Sequence, residues 1–149
     1  MSVHATAPLE LPTFADRAAV RRADLVFYEV DHAGPSYLAH VFVARRRATA
    51  RTERDARHGY AGAFSVFGHG GCFGEEGHCA VHGRTEDEFD LRLRHPLTPQ
   101  TRALDVTEAL TPALLDPAVT EVVVTVVVEP PEAAPAAPFE LVRLLTYVD

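Results

Sequence analysis

The sequence predicts an all-β protein, an antiparallel β-sandwich of about seven strands with one long Gly/His/Cys-rich loop. Three observations point there. Apolar and polar residues alternate with period two in several short stretches, such as SYLAHVFVA at 36–44 and EFDLRLR at 88–94. The run TEVVVTVVVE at 120–129 is β-branched almost throughout. The stretches are separated by turns rich in Gly, Pro and Asp, and helical periodicity is nearly absent.

In order along the chain, residues 1–22 read as an N-terminal arm, in which 14–22 (FADRAAVRR) is either a short helix or loose chain. Residues 23–149 read as a single β-sandwich domain. Its first strand is 23–30 (ADLVFYEV), with Leu25 and Phe27 packing inward. Gly34-Pro35 breaks the chain into a turn, and 36–44 is the second strand. Alternation puts Tyr37, Ala39, Val41 and Val43 on one face, and these two strands are placed to pair antiparallel. Residues 45–59 carry six arginines and read as a solvated loop. In the same reading, His40 on the second strand is a satisfied polar residue on the outer face.

The third strand is 60–67 (YAGAFSVF), and the glycine-rich loop 68–84 follows it. Strand 88–94 directs Phe89, Leu91 and Leu93 inward, and 102–106 is a short strand with Leu104 and Val106 inward. TEALTPALL at 107–115 reads as a turn or a single helical turn, with Thr107 as a cap and Pro117 as its end. The near-continuous apolar run at 120–129 marks a central strand. A proline-rich excursion at 130–138 precedes the last strand, 139–147.

The chain has 149 residues, enough to bury roughly 68–70% of its unfolded surface in one core. Its net charge of −7 argues against general nucleic-acid binding, which needs a basic surface. All fourteen basic residues are arginine. The longest apolar run is broken by Thr125 and falls far short of the ~20 residues a membrane helix needs, so no membrane partner is expected. Residues 1–14 lack a basic segment followed by an apolar one, so the expected compartment is the cytoplasm. Export alongside a signal-bearing partner stays open, as does the oligomeric state. A reducing compartment favours metal binding over a disulfide for the two cysteines.

Those cysteines lie together in HGGCFGEEGHCAVH at 69–82, spaced His-x2-Cys, six residues, then Cys-x2-His. Thiolate sulfur and imidazole nitrogen suit copper and zinc, and two ligands separated by two residues can turn inward around one ion. The candidate ligands are His69, Cys72, His78, Cys79 and His82. His69, Cys72, Cys79 and His82 would close a Cys2His2 tetrahedron around zinc, with His78 able to replace one histidine. Two thiolates and one histidine would suffice for Cu(I). A Cys72–Cys79 disulfide and two plain buried thiols are the competing readings. Phe73, Glu75 and Glu76 in the same loop are candidates for a partner-facing surface, against which stand a loop-packing aromatic and a solvated acidic pair. Asp31, His32 and Ser36 invite a Ser-His-Asp reading, but no nucleophile elbow or oxyanion hole accompanies them. The glycines match neither a dinucleotide fingerprint nor a P-loop.

Several segments are similar to known ones. Ala23-Asp24-Leu25-Val26-Phe27 sits where plant polyphenol oxidases carry a Lys-Phe-Asp-Val strand. The stretch from Gly62-Ala63-Phe64 to Gly68-His69 looks like their Gly-x-Phe-x-x-x-x-His segment. The residues from Leu104 to Leu110, then 122–128 and 139–145, follow in the order of the closing strands. The chain thus resembles the C-terminal β-sandwich domain of type 3 copper proteins, the tyrosinase, polyphenol oxidase and hemocyanin family. The family's oxidase chemistry belongs to a separate helical domain with six copper-binding histidines, and this chain has no paired helical histidine motif. The cysteine pair tied to copper loading in fungal relatives has a different spacing from Cys72 and Cys79. The resemblance implies a non-catalytic accessory protein, a free-standing sandwich acting in trans on a type 3 copper enzyme as a lid or copper-loading helper. Two other readings stand beside it: a small metalloenzyme using the same loop with Glu75 or Glu76 as its acid, and a binding module stapled by zinc or a disulfide.

Overall fold

The computed structural model describes residues 2–68 and 100–148. Eight strands build two antiparallel sheets that pack face to face, so the chain is an all-β sandwich. The strands are β1 (Ser2–Ala5), β2 (Leu9–Glu10), β3 (Val20–Val30), β4 (Tyr37–Ala44), β5 (Tyr60–Val66), β6 (Gln100–Asp105), β7 (Glu121–Glu129) and β8 (Leu141–Val148), with one helix, α1 (Thr107–Leu115). The larger sheet runs β1-β7-β4-β5, with β2 also on β7; the smaller runs β6-β3-β8. The strand expected at 88–94 lies outside the described residues.

β7 is central, as its valine run predicts. It is flanked by β4 on one side and by the N-terminal arm on the other. Val122, Val124, Val126 and Val128 are wholly buried between the sheets. Ser2–Ala5 and Leu9–Glu10 pair with β7, and Thr6 bridges them by donating its N–H to Val124 O and accepting from Val124 N. Residues 14–22, read as a short helix or loose chain, form a single 3₁₀ turn at Arg17–Ala19 and then enter β3.

The first two expected strands do not pair. β3 belongs to the smaller sheet and β4 to the larger, so residues 31–36 carry the chain across the sandwich. Both strands aim large apolar side chains at the same core, including Leu25, Phe27, Tyr37 and Val41. Facing sheets bury both sets, whereas pairing side by side in one sheet would need another layer over them. Phe27 is the hub of this core, with ring centroids 5.1 Å from Phe64 and 5.3 Å from Phe139.

Helix α1, nine residues with Pro112 inside it, is longer than the turn or single helical turn expected of this segment. It closes one end of the sandwich, with Val106, Ala109, Leu110 and Leu114 buried. Thr107 is inside the helix rather than its cap, and its hydroxyl accepts from Ala23 N at 2.9 Å. Asp105 accepts from Thr107 N, satisfying one of the free donors of the first turn. At the other end the buried Arg17 donates to Ala113 O and Asp116 O, so the arm supplies partners for the last carbonyls. Among the described residues no helix is long and apolar enough to cross a membrane.

A second, smaller cluster lies on the outer face of the larger sheet. Phe42, Ala48 and Val127 are buried there with Tyr60 packed against them, because residues 45–59 fold back over β4 and β7. Both faces of β4 are therefore covered. The expected inward set of Tyr37, Ala39, Val41 and Val43 holds, and His40 and Phe42 on the opposite face are buried as well.

Candidate functional site

His69, Cys72, Phe73, Glu75, Glu76, His78, Cys79 and His82 all lie outside the described residues, and so does the geometry of any metal they hold. What is described is the frame from which their segment departs and to which it returns. It leaves at the end of β5, an edge strand of the larger sheet, and re-enters at β6, an edge strand of the smaller. These two edges meet along one side of the sandwich, where Gly62 approaches Leu104.

Both flanks are tied to the turn at 31–36. Gly68 N donates to Ser36 Oγ at 3.0 Å. A Cβ on Gly68 would fall 2.0 Å from Gly34 O, so only glycine allows this close approach. On the returning side, the Gln100 side-chain amide lies 3.3 Å from Nδ1 of the buried His32, and Arg102 donates to Gln100 Oε1. The turn is itself pinned. Asp31 Oδ1 accepts from Ala33 N, and the Tyr37 hydroxyl donates to Asp31 O at 2.8 Å. Burial pushes the Tyr37 hydroxyl up to about 12, helped by the Asp31 charge, so it stays a neutral donor. Asp31, His32 and Ser36 thus take part in separate local contacts that hold this turn and its neighbours.

Two further groupings lie under and along the 45–59 loop. His40 on β4 has Nδ1 3.0 Å from Tyr60 Oη and Nε2 3.2 Å from Glu129 Oε2. Arg54 completes the set by donating to the other Glu129 oxygen. Burial, then the Arg54 charge, depresses the His40 imidazole below its ordinary value, with Glu129 opposing. Burial would raise the Glu129 carboxyl, but Arg54 and His40 outweigh it and hold the group below the ordinary range. Glu53, Asp55 and His58 form the other grouping, with ligand atoms within 4.8 Å of one another. Asp55 is already engaged there: it accepts from His58 N, lies 2.7 Å from His58 Nδ1 and pairs with Arg57. The His58 bond leads in holding its carboxyl down at about 2.

The buried His40 network was not legible as a network from the sequence. The available signal was one histidine in an apolar strand. No family model, curated protein or solved structure matches this chain.

Proposed function

We propose that this chain is a non-catalytic accessory protein acting in trans on a type 3 copper enzyme, as a lid or copper-loading helper. In this reading it binds one copper ion through Cys72 and Cys79 with a histidine from His69, His78 or His82. The observation that carries it is the anchoring of both flanks of the Cys/His-bearing segment, Gly68 and Gln100, to one pinned turn at the meeting edges of the two sheets. A sandwich that fixes both ends of a segment sets where that segment is presented, which a lid or a metal-transfer loop requires. The resemblance of the segment order to that of type 3 copper proteins suggests the partner class, and thiolate with imidazole supplies the preference for a soft ion.

The test is metal content by mass spectrometry on protein purified without chelator, alongside Cys72→Ser and Cys79→Ser. About one copper per folded chain, lost in both variants, is the expected result. The copper-loaded chain should then restore oxidase activity to a copper-free type 3 enzyme faster than free copper does. Tight zinc in place of copper would make the segment a structural staple. Absence of metal, with unchanged folding in both variants, would overturn the metal-handling reading.

A further inference from the structure

A pocket of about 630 Å³ opens beyond the end of β4, lined by Arg45, Arg46, Arg47, Thr52, Arg57 and His58. Ala44 and Ala48 also line it. Four of the fourteen arginines of a chain with net charge −7 therefore line one concavity, with Glu53 and Asp55 beside His58 offsetting part of that charge. Arg57 is partly neutralised by Asp55 at 3.1 Å. Arg45, Arg46 and Arg47 are exposed and make no ion pair with any described residue.

The backbone beneath these side chains is fixed. Ala48 N donates to Thr125 Oγ1 in the buried layer over β7. Val43 N donates to Gly59 O at 2.8 Å, closing the other end of the loop. Gly59 has φ +72, and a Cβ there would sit 2.2 Å from Val43 O, so this closure requires glycine. Thr49 N donates to Thr52 Oγ1, which fixes the middle of the loop. Cations with no ion-pair partner among the described residues, rooted on a pinned backbone, are available to an anion and brought close to one another.

We propose that this pocket is a binding site for an oligophosphate group. The guanidinium fork matches the spacing of phosphate oxygens and donates two parallel hydrogen bonds. Three guanidiniums without an ion-pair partner among the described residues call for an anion of several charges. The volume falls within the roughly 300–1,000 Å³ of small-ligand sites and exceeds what a single phosphate fills. Among the described residues no Phe or Tyr lines the pocket, so recognition rests on the phosphates and not on stacking a base. The concave shape favours a compact anion over a flat acidic protein surface. None of these residues belongs to 69–99, so this site stands or falls independently of the metal reading.

The experiment is calorimetric titration of the full chain with sodium tripolyphosphate at low and at physiological salt. ATP, inorganic phosphate and a glutamate-rich peptide are run in parallel. The variants are Arg45→Ala/Arg46→Ala/Arg47→Ala together, and Arg51→Ala, an exposed arginine of the same loop outside the pocket; thermal melts establish that each is folded. Saturable tripolyphosphate binding is expected, weakened about tenfold or more in the triple variant and unchanged in Arg51→Ala. ATP binding no tighter than tripolyphosphate would assign recognition to the phosphates alone; tighter ATP binding would identify a nucleotide as their source. Absence of saturable binding in the wild type, equal losses in both variants, or tighter binding of the peptide than of tripolyphosphate would overturn the proposal.

Discussion

Thr125 interrupts a valine run and is fully buried, yet its hydroxyl has a partner 77 residues away in sequence, the N–H of Ala48. That bond holds the 45–59 loop against the sheet, and with it the arginines that line the pocket. Thr125→Val keeps the shape and removes the acceptor, leaving the Ala48 N–H buried and unpaired. The expected loss is about 1–3 kcal/mol, read as a lower urea midpoint at unchanged slope. Thr125→Ser keeps the hydroxyl and should lose less. If Thr125→Val is as stable as the wild type, the bond does not hold the loop. The alternation that placed Tyr37, Ala39, Val41 and Val43 inward was legible because period two is a property of the strand alone. The partner of Thr125 was not, because Ala48 comes from a loop with no period to read, and those of His40 were not, because Tyr60 and Glu129 come from other strands whose register the sequence does not give.

At the scale of elements, β4, β5, β7 and the 45–59 loop meet at His40, Tyr60, Glu129 and Arg54, and this junction makes stability depend on pH. The His40 imidazole is depressed by burial and by Arg54, against the pull of Glu129. Above its ordinary value of 6.5 the ring is neutral in both folded and unfolded chains, and its contribution is fully present. As pH falls below 6.5 the unfolded chain takes the proton first, so stability drops. Glu129, held below its ordinary 4.5, adds a further loss at more acidic pH, where the unfolded carboxyl protonates first. The melting temperature should therefore fall from pH 7 to pH 5 and again below pH 4.5. His40→Gln should flatten the upper part of that fall, leaving the share of His4, also depressed by burial. An identical slope in the variant would show that His40 is not the titrating group. Among the elements themselves, β7 was legible because unbroken β-branched residues suit a strand covered on both faces. The length of helix α1 was not, because a nine-residue segment ended by Pro117 reads as a turn or a single helical turn, whereas burial of Leu110 and Leu114 outweighs the Pro112 inside it. The partners of β3 and β4 were not legible either, since adjacency in sequence does not say whether a turn stays within a sheet or crosses between two.

For the molecule as a whole, the question is whether the sandwich and the segment 69–99 are separable. The main core draws on both sheets through residues on either side of that segment, from Ala23 and Phe27 to Val126 and Val142. Gly68 and Gln100 are tied to the same turn, so a short bridge between them closes a small loop, and loop-closure entropy grows only slowly with length. Replacing 69–99 by a Gly-Ser linker of about six residues is therefore expected to leave a protein that unfolds cooperatively in urea with a β-type circular dichroism spectrum. The shortened chain should bind tripolyphosphate as the wild type does, because the arginine pocket lies wholly at 44–58. It should hold no metal, because every candidate ligand has been removed. Retained metal would move the site to other residues, with Glu53, Asp55 and His58 the first to substitute. Loss of cooperative unfolding would show that 69–99 contributes to the core. The segment would then be part of the scaffold and not a functional stretch presented by it, and the accessory reading would lose the observation that carries it.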